Sequence, residues 1–196
     1  MVAADDEETR ARRRGLRLVY ATVAWNAFEG VAAIAAGVLA HSVALTAYGL
    51  DSSLEVFVSL IAAWQLRAGG THRDRAALRA IGVSYLAVAA YVGMQSVLRL
   101  ISRAHPQASP FGIALTAAAA VVMVVVGLAK GRVARTIGNR VLAAEAGFSL
   151  VDAALSCTVL VGLTLNAVAG WWWADPCVAL VLAAFALKEG LAELRG

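Results

Sequence analysis

Six apolar runs, separated by short clusters of charged or turn-forming residues, divide the chain at positions 16–40, 42–66, 76–101, 110–129, 141–165 and 172–187. A helix rises 1.5 Å per residue, so about 20 residues cross a bilayer's hydrocarbon core. Each run is near or above that length, and the pattern predicts an all-α membrane protein of six transmembrane helices, spans 1 to 6. Residues 1–15 are predicted to be a charged tail with little structure, and residues 16–193 a single membrane domain.

The polar positions inside these runs matter most. Span 2 carries Asp51 and Glu55 at its middle, one above the other on one helical face. An Asp at the centre of a membrane helix costs roughly 2.5–3.5 kcal/mol on insertion scales, and such residues usually face a cavity and mark an ion or proton path. Glu29 in span 1 and Asp152 in span 5 fall at the same depth. Four carboxylates at one level on three helices are hard to explain as packing, and paired oxygen ligands suit a divalent cation. Glu145, two turns from Asp152, shares a face with Ser149 and Asp152, and these residues are expected to form the inner end of an access path. Asn26 is an auxiliary polar group, and on a purely structural account it is a hydrogen-bond partner for Glu29. Span 4 has no ionisable residue and only Thr116 as a polar group, so it is expected to supply wall. Gly30, Gly37, Ala143 and Gly147 are expected to allow close helix approach.

Composition supports this reading. At 61% hydrophobic residues and a mean hydropathy of +0.74, the spans leave almost nothing for a soluble domain. The net charge of +4 does not point to nucleic acid, because fifteen of the 17 Lys and Arg residues fall on one side of the predicted topology and only Arg99 and Arg103 on the other. By the positive-inside rule both termini face the cytoplasm. The basic residues counted there include Arg73 in the span 2–3 loop and Lys130, Arg132, Arg135 and Arg140 in the span 4–5 loop. Trp171, Trp172 and Trp173 then lie at the outer interface, and Asp175 before Pro176 reads as an N-cap of span 6. Cys157 and Cys177 fall within spans and read as buried small hydrophobes, while His41, His72 and His105 read as interfacial or loop residues. No cleavable signal peptide is expected, and span 1 serves as the insertion signal.

Residues 47–55, AYGLDSSLE, align on 144–152, AEAGFSLVD, pairing Ser52 with Ser149 and Glu55 with Asp152. Spans 2 and 5 run in opposite directions, so such halves would be inverted repeats with a site between them. Ser42-Val-Ala-Leu, Asp51-x-x-x-Glu55, Ala144-Glu145 with Asp152, and Ala174-Asp175-Pro176 together resemble the membrane domain of the cation diffusion facilitator, or cation efflux, family of divalent-metal exporters. The likeness spans about residues 16–193 and extends to a membrane-only branch with an acidic residue in span 1 and a WWWADP-like start to span 6. The resemblance implies metal/proton antiport by alternating access at a site on spans 2 and 5, a homodimer, and a location in the plasma membrane. Asp51, Glu55 and Asp152 match three of the family's four ligand positions; Phe148 stands at the fourth and cannot ligate. Glu29, Glu145, Ser149 or water is expected to complete the set. The cytoplasmic domain that usually follows span 6 is expected to be lacking.

An all-oxygen site suits manganese or ferrous iron better than zinc, although zinc accepts carboxylates. Burial and mutual repulsion disfavour full ionisation of such a cluster, so protons and metal compete for the same oxygens. No nucleophile, base and oxyanion constellation appears and no phosphate-binding glycine loop, which speaks against an enzyme or an ATP-driven pump. Metal is therefore substrate and not a resident cofactor, with protons and lipid as the other partners. The competing readings are a non-transporting membrane scaffold or regulatory subunit with a transporter-like fold, and a proton-coupled transporter of an organic cation.

Overall fold

Each apolar run folds as the helix its length predicts, and turn residues at the boundaries stop it. The computed structural model describes residues 2–68 and 75–195. It consists of α1 (Val2–Ala40), α2 (Val43–Ala68), α3 (Arg75–Ser102), α4 (Pro110–Ile137), α5 (Arg140–Ala169) and α6 (Ala174–Arg195). Helices α1 to α5 are long and apolar enough to cross a membrane. In α6 the apolar stretch 177–187 is bracketed by Asp175 on one side and Lys188 and Glu189 on the other, which leaves it short of the same standard. His72 and Arg73 lie outside the described residues.

Helix α1 starts at Val2 and so runs through the charged segment expected to lack structure. The segment is rich in Ala, Glu and Arg, all strong helix formers, so it continues the helix that span 1 nucleates. Ser109 caps α4 by accepting from the Gly112 N–H at 3.1 Å, with Pro110 at the first helical position. At the far end, Gly138 takes a left-handed φ of 61° and Asn139 accepts from the Leu142 N–H at 2.9 Å to start α5. The expected basic loop between spans 4 and 5 is therefore a two-residue turn. Lys130, Arg132 and Arg135 belong to α4.

Asp175 corrects the capping expectation. It lies inside the first turn of α6, where the Cys177 N–H donates to the Trp173 carbonyl. Its carboxylate caps a different helix: the Ser42 hydroxyl donates to Oδ1, and the N–H groups of Val43 and Ala44 donate to Oδ2 at 2.9 and 3.4 Å. Ser42 Oγ in turn accepts from the Leu45 N–H at 3.1 Å. The free N–H groups and positive dipole end of α2 make a carboxylate favourable there, so a residue 133 positions away completes the start of the acidic helix.

Helices α1 and α2, α4 and α5, and α3 and α6 form the most extensive pairs. The first two pairs meet through α1–α4 and α2–α5 contacts, and the α3–α6 pair leans on α2. Exchanging the first three helices with the last three maps these three pairs onto one another, but among the described residues the α2–α6 contact has no α3–α5 counterpart of similar extent, so the two halves are not equivalent. Gly30 and Gly49 set the α1–α2 approach: a Cβ on Gly49 would meet the backbone of Ile34 and Gly30. Gly37 meets Thr46 in the same seam, whereas Gly147 faces open space and Ala143 is exposed, so those two do not serve close approach. Gly49→Ala is expected to lower stability by about 1–3 kcal/mol, the usual cost of overpacking, read as a lower melting temperature in detergent.

At the end opposite the termini, Trp171 and Trp173 stack at 5.2 Å and are exposed, and His105 lies 5.5 Å from Trp172. Cys157 and Cys177 are free thiols on the outside of the bundle, not buried. A small apolar side chain suits acyl chains as well as a protein core, so composition could not separate the two settings.

Candidate metal centre

Helices α1, α2 and α5 bring Glu29, Asp51, Glu55 and Asp152 to one region of the bundle. Glu29 and Asp152 are fully buried and Asp51 nearly so, while Glu55 is half-buried. Asp152 lies within electrostatic reach of Glu29, Asp51 and Glu55. Among the described residues, no three His, Cys, Asp or Glu side chains stand in ligand geometry as they are. The cluster is a set of neighbours that a bound ion would have to draw together.

The four acids differ in what satisfies them. Glu55 Oε2 accepts from the Asn26 amide at 2.8 Å, so Asn26 serves Glu55 and not Glu29. Glu29 Oε1 accepts from the Tyr48 hydroxyl, which also meets Ser156 Oγ. Ser156 is held by its own bond to the Asp152 carbonyl at 2.9 Å, so Tyr48 links α1, α2 and α5 through one hydroxyl. Both oxygens of Asp51, both of Asp152 and Glu29 Oε2 are buried and accept no hydrogen bond at normal distance, the Tyr48 hydroxyl standing near Asp152 but donating to Glu29. Buried polar atoms are satisfied in the great majority of cases, and orphaned ones call for an explanation such as an ion or water. A hard or borderline divalent cation is what this donor set fits: carboxylate oxygens from three helices, with no thiolate or imidazole beside them.

Glu145 is placed differently from the other acids. It is buried, and its Oε2 accepts from the Lys130 ammonium at 2.9 Å. Lys130 also donates to Ser149 Oγ at 3.1 Å, and the Ser59 hydroxyl donates to Glu145 Oε2 at 3.2 Å. Lys130 is fully buried, within electrostatic reach of Asp152. The reading of span 4 as plain wall, with Lys130 in a basic loop, is overturned. The signal was present: Gly138-Asn139 is the helix stop, so α4 had to continue past Ala129.

A narrow cleft beside the cluster is lined by Thr22, Glu55, Ser59, Glu145, Phe148 and Glu189. Phe148 stands on its wall beside Glu55, where the fourth ligand was expected. Glu189, on α6, lies within electrostatic reach of Asp51.

A family profile for the cation efflux transmembrane domain matches residues 78–196, more than half of the chain. The chain is also 28% identical over 165 residues to a protein of Synechocystis described as an uncharacterized transporter. That alignment covers 79% of this chain and 53% of the relative, so the chain spans about half the length of the curated relative it matches. Five helices among the described residues fit to cross a bilayer, and the profile match agrees with them: this integral membrane protein belongs to the cation efflux family.

Proposed function

We propose that the protein is a divalent transition-metal cation transporter, moving metal out of the cytoplasm in exchange for protons through Asp51, Glu55, Asp152 and Glu29. The observation that carries this reading is the pair of buried aspartates, Asp51 and Asp152, whose oxygens accept no hydrogen bond at normal distance although they lie on helices that pack together. Leaving them so costs stability, and a metal ion or protons are the partners that offset it. The cation efflux profile and the relative described as a transporter point to the same class.

On this reading the end rich in Arg faces the cytoplasm of the plasma membrane, and the cleft past Glu189 and Glu145 is the way in. Metal displaces protons from the carboxylates, the helices rock to expose the cluster outward, and protonation there releases the metal. Tyr48 holds Glu29 and ties α1 to α5, which keeps the acids facing one another. The oxygen-only donor set favours manganese or ferrous iron and admits zinc. The homodimer that the family resemblance implies is part of the same proposal.

Phe148 at the fourth ligand position supports a second reading, a non-transporting scaffold that keeps the fold. Melting curves of the purified protein with zinc, manganese, ferrous iron, cadmium, magnesium and calcium separate the two. At 100 times its dissociation constant a ligand stabilises by about 2.7 kcal/mol, a rise of roughly 5–10 °C for a chain of this size. At least one transition metal is expected to give that rise in wild type and none in Asp51→Asn. A flat response to every metal supports the scaffold.

A further inference from the structure

The Lys130 ammonium sits in a pocket of oxygen donors: Glu145 Oε2 at 2.9 Å and Ser149 Oγ at 3.1 Å, with the Ser59 hydroxyl on the same carboxylate. Lys130 is fully buried and Glu145 nearly so. Such a pair is a poor device for holding helices together, because desolvation of both charges offsets most of their attraction. Helices α4 and α5 do not need it, being joined by a two-residue turn and among the most closely packed pairs of the bundle. Position is the more telling feature. Glu145, Ser149 and Ser59 line the same narrow cleft as Glu55, on the terminus-bearing side of the carboxylate cluster. Ser59 is one turn from Glu55 and Glu145 two turns from Asp152, about 10 Å along the helix.

We propose that Glu145, Ser149 and Ser59 form a second, inner cation site, which the Lys130 ammonium occupies here and which it yields to a divalent metal ion passing from the cleft to the carboxylate cluster. The proposal rests on the transport reading and adds to it a site and a built-in competitor. One carboxylate and two hydroxyls, with water, bind a hard divalent cation weakly. The tethered ammonium weakens that binding further, and an ion in transit has to leave the site as readily as it enters. Displaced, the ammonium has a flexible four-carbon stem with which to follow the cleft toward water. Its charge keeps the inner site from trapping metal, because each ion must expel a cation that remains attached and ready to return.

The test is calorimetric titration of manganese and zinc into wild type, Lys130→Met and the double variant Lys130→Met/Glu145→Gln, all in detergent. With the competitor gone, Lys130→Met is expected to bind one more ion per chain than wild type, or to tighten the weaker of two wild-type sites at least tenfold. The double variant is expected to lose that gain and keep the cluster site. Binding by wild type with an unchanged isotherm in Lys130→Met overturns the inner site alone. No binding by either protein overturns the transport reading and the inner site with it. If Lys130→Met does not fold, Lys130→Gln, whose amide can still donate to Ser149, is judged by the same outcomes.

Discussion

Asp152→Asn is expected to abolish metal transport and to leave the metal-free protein as stable as wild type or more so. The two effects have one cause. Both Asp152 oxygens are buried without a donor at normal hydrogen-bond distance, among Glu29, Asp51 and Glu55, with the Tyr48 hydroxyl and the Lys130 ammonium as more distant partners that offset only part of the repulsion. An amide of the same shape removes a carboxylate from a crowded, poorly solvated cluster, which relieves repulsion and desolvation. Stability should rise by up to about 3 kcal/mol, the scale of one unsatisfied buried group. Transport should fall by about 100-fold or more, since loss of a partner that merely orients a ligand already costs roughly 10–100-fold. Melting temperature and flux on the same preparation check both. A structural carboxylate would behave in the opposite way, losing stability when its charge is removed.

Glu145→Ala is expected to have the largest effect on folding. It leaves the fully buried ammonium of Lys130 with the Ser149 hydroxyl as its remaining hydrogen-bond partner. Breaking a buried pair by removing one partner costs about 3–5 kcal/mol, most of it from the uncompensated charge. Replacing both members, as Lys130→Met/Glu145→Gln, should recover most of that loss, because no charge is then stranded. Denaturation curves of the three proteins in detergent measure the difference. The single variant carries a second effect: Asp152 lies within electrostatic reach of Lys130, and an ammonium drawn there competes with metal, so metal affinity should drop as well.

How much of this the sequence discloses depends on the range of the interaction. Helix positions follow from hydropathy and local stop signals, so each apolar run corresponds to one helix, although α1 begins fourteen residues before its run and α4 and α6 each end eight residues after theirs. Asp51, Glu55, Asp152 and Glu29 are legible because acids at mid-span are costly, and that cost is visible without knowing the fold. Partnerships between helices are not legible in this way. Asp175 next to Pro176 looks like a local cap, yet its carboxylate serves α2. Asn26 is one turn from Glu29 and instead bonds Glu55 across the α1–α2 seam. Lys130 was misplaced for a different reason. The positive-inside rule counts charge near helix ends and cannot tell a lysine in water from one turned inward on the last turns of a helix. Glu189 was hidden in the same way, by a neighbouring lysine that is itself exposed.

The most direct test of the metal-transport account is uptake into proteoliposomes under an imposed pH gradient, with zinc, manganese, ferrous iron and cadmium offered in turn to wild type and to Asp51→Asn. Asp51 is the right residue to change because both its oxygens are buried without a donor, so its replacement removes a candidate ligand and no structural bond. The account predicts that at least one metal accumulates in wild-type vesicles, that accumulation collapses when the gradient is dissipated, and that Asp51→Asn vesicles match protein-free ones. Equal uptake by Asp51→Asn, or no uptake of any metal by folded and correctly inserted wild type, would contradict it.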